Sequence, residues 1–132
     1  MGLFNGLFNG NDEGKNEERI SWIPLTENSQ LATLISQSKI KPILIFKHST
    51  RCGVSRMALR SFEKEFAIES DKIDLYFLDL LSYREISSEI ASKFNVYHQS
   101  PQVLVIKNER VIYHDSHYQI SVNTIKDILI KK

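Results

Sequence analysis

An apolar run, a polar turn and the chain's single cysteine follow one another in Pro42-Ile43-Leu44-Ile45-Phe46-Lys47-His48-Ser49-Thr50-Arg51-Cys52-Gly53-Val54-Ser55. The short run from Ile43 to Phe46 is typical of a strand that is buried on both faces. Ser49 or Thr50 is expected to cap the following helix, with Cys52 in its first turn. Because the amides at a helix N-terminus favour an anionic sulfur, Cys52 is the candidate reactive residue.

The composition predicts one soluble globular domain. The chain has 132 residues, of which 42% are hydrophobic and 25% charged, and this suffices for a single core. A formal net charge of +1 gives no overall field that would attract nucleic acid or an acidic membrane surface, so neither partner is expected. No apolar run is long enough for a bilayer span. One cysteine cannot form an internal disulfide, which favours a reducing compartment and therefore the cytoplasm.

The N-terminal segment differs in composition from the rest. Four of the five glycines lie within residues 1 to 14, and a charged stretch follows them. We therefore predict a flexible tail over residues 1–17 and a folded domain over residues 18–132. The alternative is that the apolar side chains of the tail pack on the domain or on a partner; these are Leu3, Phe4, Leu7 and Phe8.

The hydrophobic pattern of the domain alternates between helix and strand in the order αβαβαββα. Strands separated by helices imply parallel crossovers, whereas the short turn at 107–110 implies an antiparallel hairpin. The expected fold is α/β, with a mixed central sheet of about four strands flanked by helices. The predicted strands cover 43–46, 73–80, 103–106 and 111–113.

Two features together resemble a known fold and family. Cys52 opens the helix after the first central strand, and the Ser100-Pro101 step opens the third strand, as in thioredoxin-like proteins. The run from His48 to Cys52, with Ser55 three residues later, resembles the YtxJ-type family of bacillithiol-system redox-active proteins. This resemblance extends from about Trp22 to the C-terminus.

The resemblance implies a monothiol branch of the fold. Thioredoxins carry the motif C-x-x-C, and here Ser55 stands at the second cysteine position. The chain therefore cannot close its own active-site disulfide. Thioredoxins also carry an acid six residues before the first cysteine, where this chain has Phe46. The implied partners are S-thiolated client proteins, with bacillithiol or another low-molecular-weight thiol as co-substrate, no tightly bound cofactor, and a role in stress response.

The chemistry of the predicted site can also be derived from the residues. We expect Ser55, on the same helix face as Cys52, to donate a hydrogen bond to the thiolate, and Arg51 to add a neighbouring cation. Such a thiolate attacks a mixed disulfide, releases the client and retains the small thiol, which a second small thiol removes. The alternative is that Cys52 is an inert, buried small residue.

Substrate-binding residues are predicted on both sides of the thiol. By resemblance, Pro101 is cis and faces the thiol, and Ser100 presents backbone groups to the substrate, while Gly53 lies beside the sulfur. His48 could serve as an acid or base in the exchange, or merely end the strand. A basic cluster could bind the carboxylates of the malate group of bacillithiol, or could form a solvated helix face; it comprises Lys47, His48, Arg51, Arg56 and Arg60.

The sequence is also compatible with two other functions. The sequence Cys52-Gly53-Val54-Ser55 also resembles the C-G-x-S motif of monothiol glutaredoxins that carry iron-sulfur clusters, although the glycine pair of those proteins is missing here. A non-catalytic interaction domain with the same fold is the third possibility. No metal site is expected, because His114 and His117 lack further ligands.

Overall fold

The computed structural model describes residues 20–69 and 71–131. In chain order, the elements are β1 Trp22–Pro24, α1 Ser29–Gln37, β2 Ile43–His48, α2 Gly53–Glu65, β3 Asp74–Asp79, α3 Arg84–Phe94, β4 Gln102–Lys107, β5 Arg110–Ser116, a 3-10 turn His117–Gln119, and α4 Val122–Lys131. The predicted tail lies outside the described residues. None of the helices within the described ranges is long and apolar enough to cross a bilayer.

The strands form one mixed sheet in the order β1-β3-β2-β4-β5. β1 and β2 pair with β3 in parallel, whereas β4 is antiparallel to both β2 and β5. The α/β prediction is confirmed, but the sheet has five strands instead of about four. β1 was missed because three residues are too few to show a two-residue alternation.

Two apolar cores cover the two faces of the sheet. On one face, Ile43 and Ile45 of β2 pack in a cluster with Ile86 and Ile90 of α3. On the other face, Leu44 and Phe46 pack with Phe62 of α2 and Ile125 of α4, among others. Successive strand residues point to opposite faces. The two polar residues that end β2, Lys47 and His48, therefore lie on opposite faces of the sheet.

The β4–β5 hairpin turns at Asn108 and Glu109, which both have positive φ, 53° and 68°. Two left-handed residues suit the twist of a two-residue hairpin. Ser38 holds this turn, since its carbonyl oxygen accepts from the Asn108 amide at 2.9 Å and its hydroxyl oxygen accepts from the Glu109 amide at 2.8 Å. The predicted hairpin is therefore confirmed, and β5 continues past its predicted end to include His114 and Ser116.

Candidate functional site

Cys52 occupies the N-cap of α2, with extended backbone angles of φ −107° and ψ 123°. Its amide donates to the Ser49 carbonyl at 3.2 Å, and its own carbonyl accepts from the Arg56 amide at 3.1 Å, which starts the helical ladder. The expectation that Ser49 or Thr50 caps this helix, with Cys52 in the first turn, is wrong. Ser49 and Thr50 lie instead in the turn that the hydrogen bond from the Cys52 amide to Ser49 closes. The helix therefore begins at Gly53.

Cys52 is half-buried. It lies at the N-terminus of α2, where its side chain forms no cap hydrogen bond. The first amides of a helix lack carbonyl partners within it, and together they act as a partial positive charge. The Cys52 side chain is therefore next to this partial positive charge and is partly accessible to solvent. The position therefore suits nucleophilic attack on sulfur.

Ser55 is fully buried, and its hydroxyl forms hydrogen bonds with His48, at the end of β2, and with Ser49, which follows it. The Ser55 oxygen accepts from the Ser49 amide at 3.0 Å and lies 2.8 Å from Nδ1 of His48. Within the described residues, these are the hydrogen bonds of the Ser55 hydroxyl, and neither involves the sulfur. The expected hydrogen bond from Ser55 to Cys52 is thus replaced by one to His48.

His48 ends β2 as a buried residue whose ring lies 5.4 Å from that of Phe77, between centroids. Burial is the main cause that lowers the pKa of His48, and Arg56 acts in the same direction against the opposing effect of Asp79. Nδ1 of this ring shares a hydrogen bond with the Ser55 hydroxyl. His48 thus contacts the helix that carries the thiol, through Ser55.

The predicted basic cluster separates into two parts. Arg51, Arg56 and Arg60 are exposed, and Arg56 donates from Nη1 to the Thr50 carbonyl at 3.2 Å. Lys47, in contrast, is fully buried and points to the other face of the sheet, toward Ser87 of α3. The prediction that Lys47 joins a rim around the thiol is therefore wrong, because strand alternation separates it from His48.

Gly53 is exposed at the first position of α2. A Cβ added there would meet Nη2 of Arg56 at 3.9 Å, which is an ordinary van der Waals contact. Packing does not require glycine at this position. Its predicted contact with the substrate stays a prediction.

The Ser100-Pro101 peptide bond is cis, in agreement with the resemblance. β4 begins at the next residue, and Gln102 pairs with Lys47 of antiparallel β2. This register brings Pro101 to the same end of the sheet as His48 and the turn that leads to Cys52. The Ser100 hydroxyl is buried without a hydrogen-bond partner in the described structure. The substrate-binding roles of Ser100 and Pro101 stay predictions.

One protein-family model matches most of the chain. The family model described as monothiol bacilliredoxin BrxC matches residues 23–125 of the chain. The chain belongs to the monothiol bacilliredoxin family.

Solved structures show the fold. A protein proposed to be an oxidoreductase with a thioredoxin fold is 28% identical, with a TM-score of 0.70, and the match covers 85% of this chain and 95% of that one. Thioredoxin from Malassezia sympodialis is 19% identical, with a TM-score of 0.62 and coverage of 84% and 90%. Thioredoxin from Trypanosoma brucei brucei is 22% identical, with a TM-score of 0.61 and coverage of 86% and 95%. The last two show the fold, which is thioredoxin-like, and the family supports a thiol redox role.

One acidic residue of this bacilliredoxin site was missed in the sequence. Asp79, the last residue of β3, pairs in register with His48. Its Oδ2 accepts from the Ser82 hydroxyl at 3.1 Å, and its Oδ1 is buried without a hydrogen-bond partner in the described structure. In thioredoxins the acid lies six residues before the first cysteine, where this chain has Phe46. The available signal was that parallel strands end at one edge of the sheet, which brings their final residues together.

Proposed function

We propose that this bacilliredoxin removes a low-molecular-weight thiol, bacillithiol, from S-thiolated client proteins through Cys52, in the cytoplasm. The observation that carries the proposal is the half-buried cysteine at the N-cap of α2, with a serine bonded to His48 where thioredoxins have a second cysteine. Such a site can accept a thiol but cannot expel it by forming an internal disulfide.

The proposed cycle has two exchange steps. In the first, the Cys52 thiolate attacks the sulfur of the small thiol in the client mixed disulfide; the client disulfide breaks, a Cys52–small thiol disulfide forms, and the client leaves as a thiolate. In the second, the thiolate of another small-thiol molecule attacks the small-thiol sulfur of that disulfide. Cys52 leaves as a thiolate, and the two small thiols leave as their disulfide. Leaving thiolates take up protons from water, and the number of electrons is conserved in each step.

Exposed arginines support the choice of an acidic thiol. Arg51 precedes Cys52 directly, and Arg56 lies one helical turn after it; both are exposed. A guanidinium pairs well with a carboxylate because it offers two parallel N–H donors. We infer that these two residues receive the malate carboxylates of bacillithiol, while the chain around Ser100 and Pro101 receives the client.

The test is intact-mass spectrometry of the reduced protein after incubation with mixed disulfides of bacillithiol, glutathione and coenzyme A. We expect one adduct on Cys52, formed fastest with bacillithiol and removed by added bacillithiol. Cys52→Ser is the matched control and should form no adduct. Absence of an adduct with all three disulfides would contradict the proposal, and preference for another thiol would change the assigned co-substrate.

A further inference from the structure

A cavity of about 750 Å³ lies at the carboxyl end of β3, between α3 and the segment 95–98. Its lining includes Arg84 and Ser87 of α3, and Tyr97 and His98 of the segment. Because α3 and α2 cover opposite faces of the sheet, this cavity is on the face away from the helix that carries Cys52. Its volume is within the range of sites for small organic ligands.

A buried ammonium lies behind the wall of the cavity. Lys47 is 0% exposed; its Nζ donates to the Ser87 carbonyl at 3.4 Å and lies 3.2 Å from Nδ1 of His98. Both partners line the cavity. Burial lowers the pKa of Lys47 to about 8, so the side chain is mostly protonated at pH 7.

The charge of Lys47 has no carboxylate partner in the described part of the chain, where the ion pairs are Lys39–Glu109 and Lys41–Asp74. A buried charge without a counter-ion is costly, and only hydrogen bonds to neutral groups offset the cost here. An anion in the cavity would provide the missing counter-charge.

His98 can transmit this charge to the cavity. Burial, together with the charge of Lys47, lowers the pKa of His98, which keeps the ring neutral. Since Nδ1 accepts from Lys47, the hydrogen of the neutral ring is on Nε2. The segment that carries His98 is anchored, because buried Gln102 donates from Nε2 to the Tyr97 carbonyl at 2.9 Å. His98 therefore offers an N–H donor that the ammonium polarises.

Arg84 adds a second positive group. It is the first residue of α3, and the helix begins there without a side-chain cap hydrogen bond. Its guanidinium is exposed and offers the paired donors that fit carboxylate or phosphate oxygens. Arg84 and His98 both line the cavity.

We propose that this cavity binds a small organic oxyanion, a carboxylate or a phosphate, which Arg84 and His98 contact directly and whose charge Lys47 balances through His98. This site goes beyond the exchange chemistry of Cys52. It would give the protein a second ligand, on the opposite face of the sheet from the thiol.

The test is an NMR titration of the ¹⁵N-labelled full-length protein with citrate and, separately, with glycerol 3-phosphate, at physiological salt. We expect saturable shifts of the amides of residues 84–88 and 95–98, identical in wild type and in Cys52→Ser. Binding of citrate alone would identify a carboxylate site, and binding of glycerol 3-phosphate alone a phosphate site. Because Cys52→Ser cannot exchange thiols, the outcome is independent of the proposed function.

Three variants test the contacts. Arg84→Gln and His98→Gln should each weaken binding about tenfold or more, the effect of losing a charge-assisted hydrogen bond. Lys47→Met should weaken it by a similar factor, whereas Lys93→Gln, an equal loss of charge at the far end of α3, should change it less than about twofold. Absence of saturable binding of both anions overturns the proposal. Equal effects of Lys93→Gln and Arg84→Gln also overturn it, and this comparison holds even if Lys47→Met does not fold.

Discussion

Lys47 and His48 are neighbours in β2, and both are buried, yet their side chains enter two different polar clusters on opposite faces of the sheet. His48 bonds to Ser55 of the thiol-bearing helix, beside the carboxylate of Asp79 on the next strand. Lys47 bonds to Ser87 and His98 below an open cavity and has no described ion-pair partner. The first cluster places a histidine ring between a hydroxyl and a carboxylate, and the second contains a buried charge with no acid among the described residues.

The largest expected effect is on the free energy of unfolding, where two substitutions separate the contribution of Lys47 packing from that of its charge. Lys47→Ala should lower the free energy of unfolding by about 2–5 kcal/mol, because it removes a buried side chain and leaves a cavity. Lys47→Met keeps most of the volume without the charge and should be neutral or stabilising. Urea unfolding at pH 7 measures both. A Lys47→Met variant as unstable as Lys47→Ala would mean that the ammonium itself is required for folding.

Alkaline pH should affect the Lys47 cluster and not the His48 cluster. Its pKa falls from the ordinary 10.5 to about 8 in the folded protein, so the unfolded chain binds the proton more tightly. The free energy of unfolding should therefore rise with pH from about 8 to 10.5, by up to about 3 kcal/mol. The measurement is the difference between wild type and Lys47→Met in urea at each pH. A difference that does not change over this range would contradict the buried ammonium.

Ser55→Ala tests the His48 cluster. The variant removes the acceptor of the Ser49 amide and the hydrogen bond with His48, and should destabilise the protein by about 1–3 kcal/mol. Because the hydroxyl bonds to His48 and not to the sulfur, alkylation of Cys52 by iodoacetamide should change less than about twofold. A large fall in the alkylation rate would restore the role in thiolate stabilisation that the sequence predicted. Ser61→Ala, an exposed position on the same helix, is the matched control.

The smallest expected effect appears in acid. Burial lowers the pKa of both His48 and His98 in the folded protein, so the unfolded chain takes up protons first as the pH falls below about 6.5. Stability should be highest above that pH and decrease below it. His48→Gln and His98→Gln should each make this decrease shallower, as thermal unfolding at pH 7 and pH 5 would show. If neither variant changes the slope, these histidines are not the groups that titrate.

The sequence alone predicted most of the fold, because apolar periodicity is a local signal. Ile43 to Phe46, the helix after Cys52 and the hairpin at Asn108 were each recognisable from their own residues. β1 was not, since its three residues pair with β3 only after the chain has folded. Trp22, at the start of that strand, packs against Phe46, Phe62 and Phe77, and its indole N–H donates to Glu63 at 2.8 Å.

The same contrast between local signals and tertiary contacts holds for the candidate site. The sequence by itself singled out the candidate reactive residue, because Cys52 is the chain's single cysteine and lies between a buried strand and an amphipathic helix. Tertiary structure decided the surroundings of the site: the Ser55 hydroxyl bonds to His48, Asp79 pairs in register with His48, and Lys47 bonds to Ser87 on the opposite face. A hydrogen bond or a buried charge depends on groups that are distant in the chain, and only the register of β2 with β3 and β4 brings those groups together.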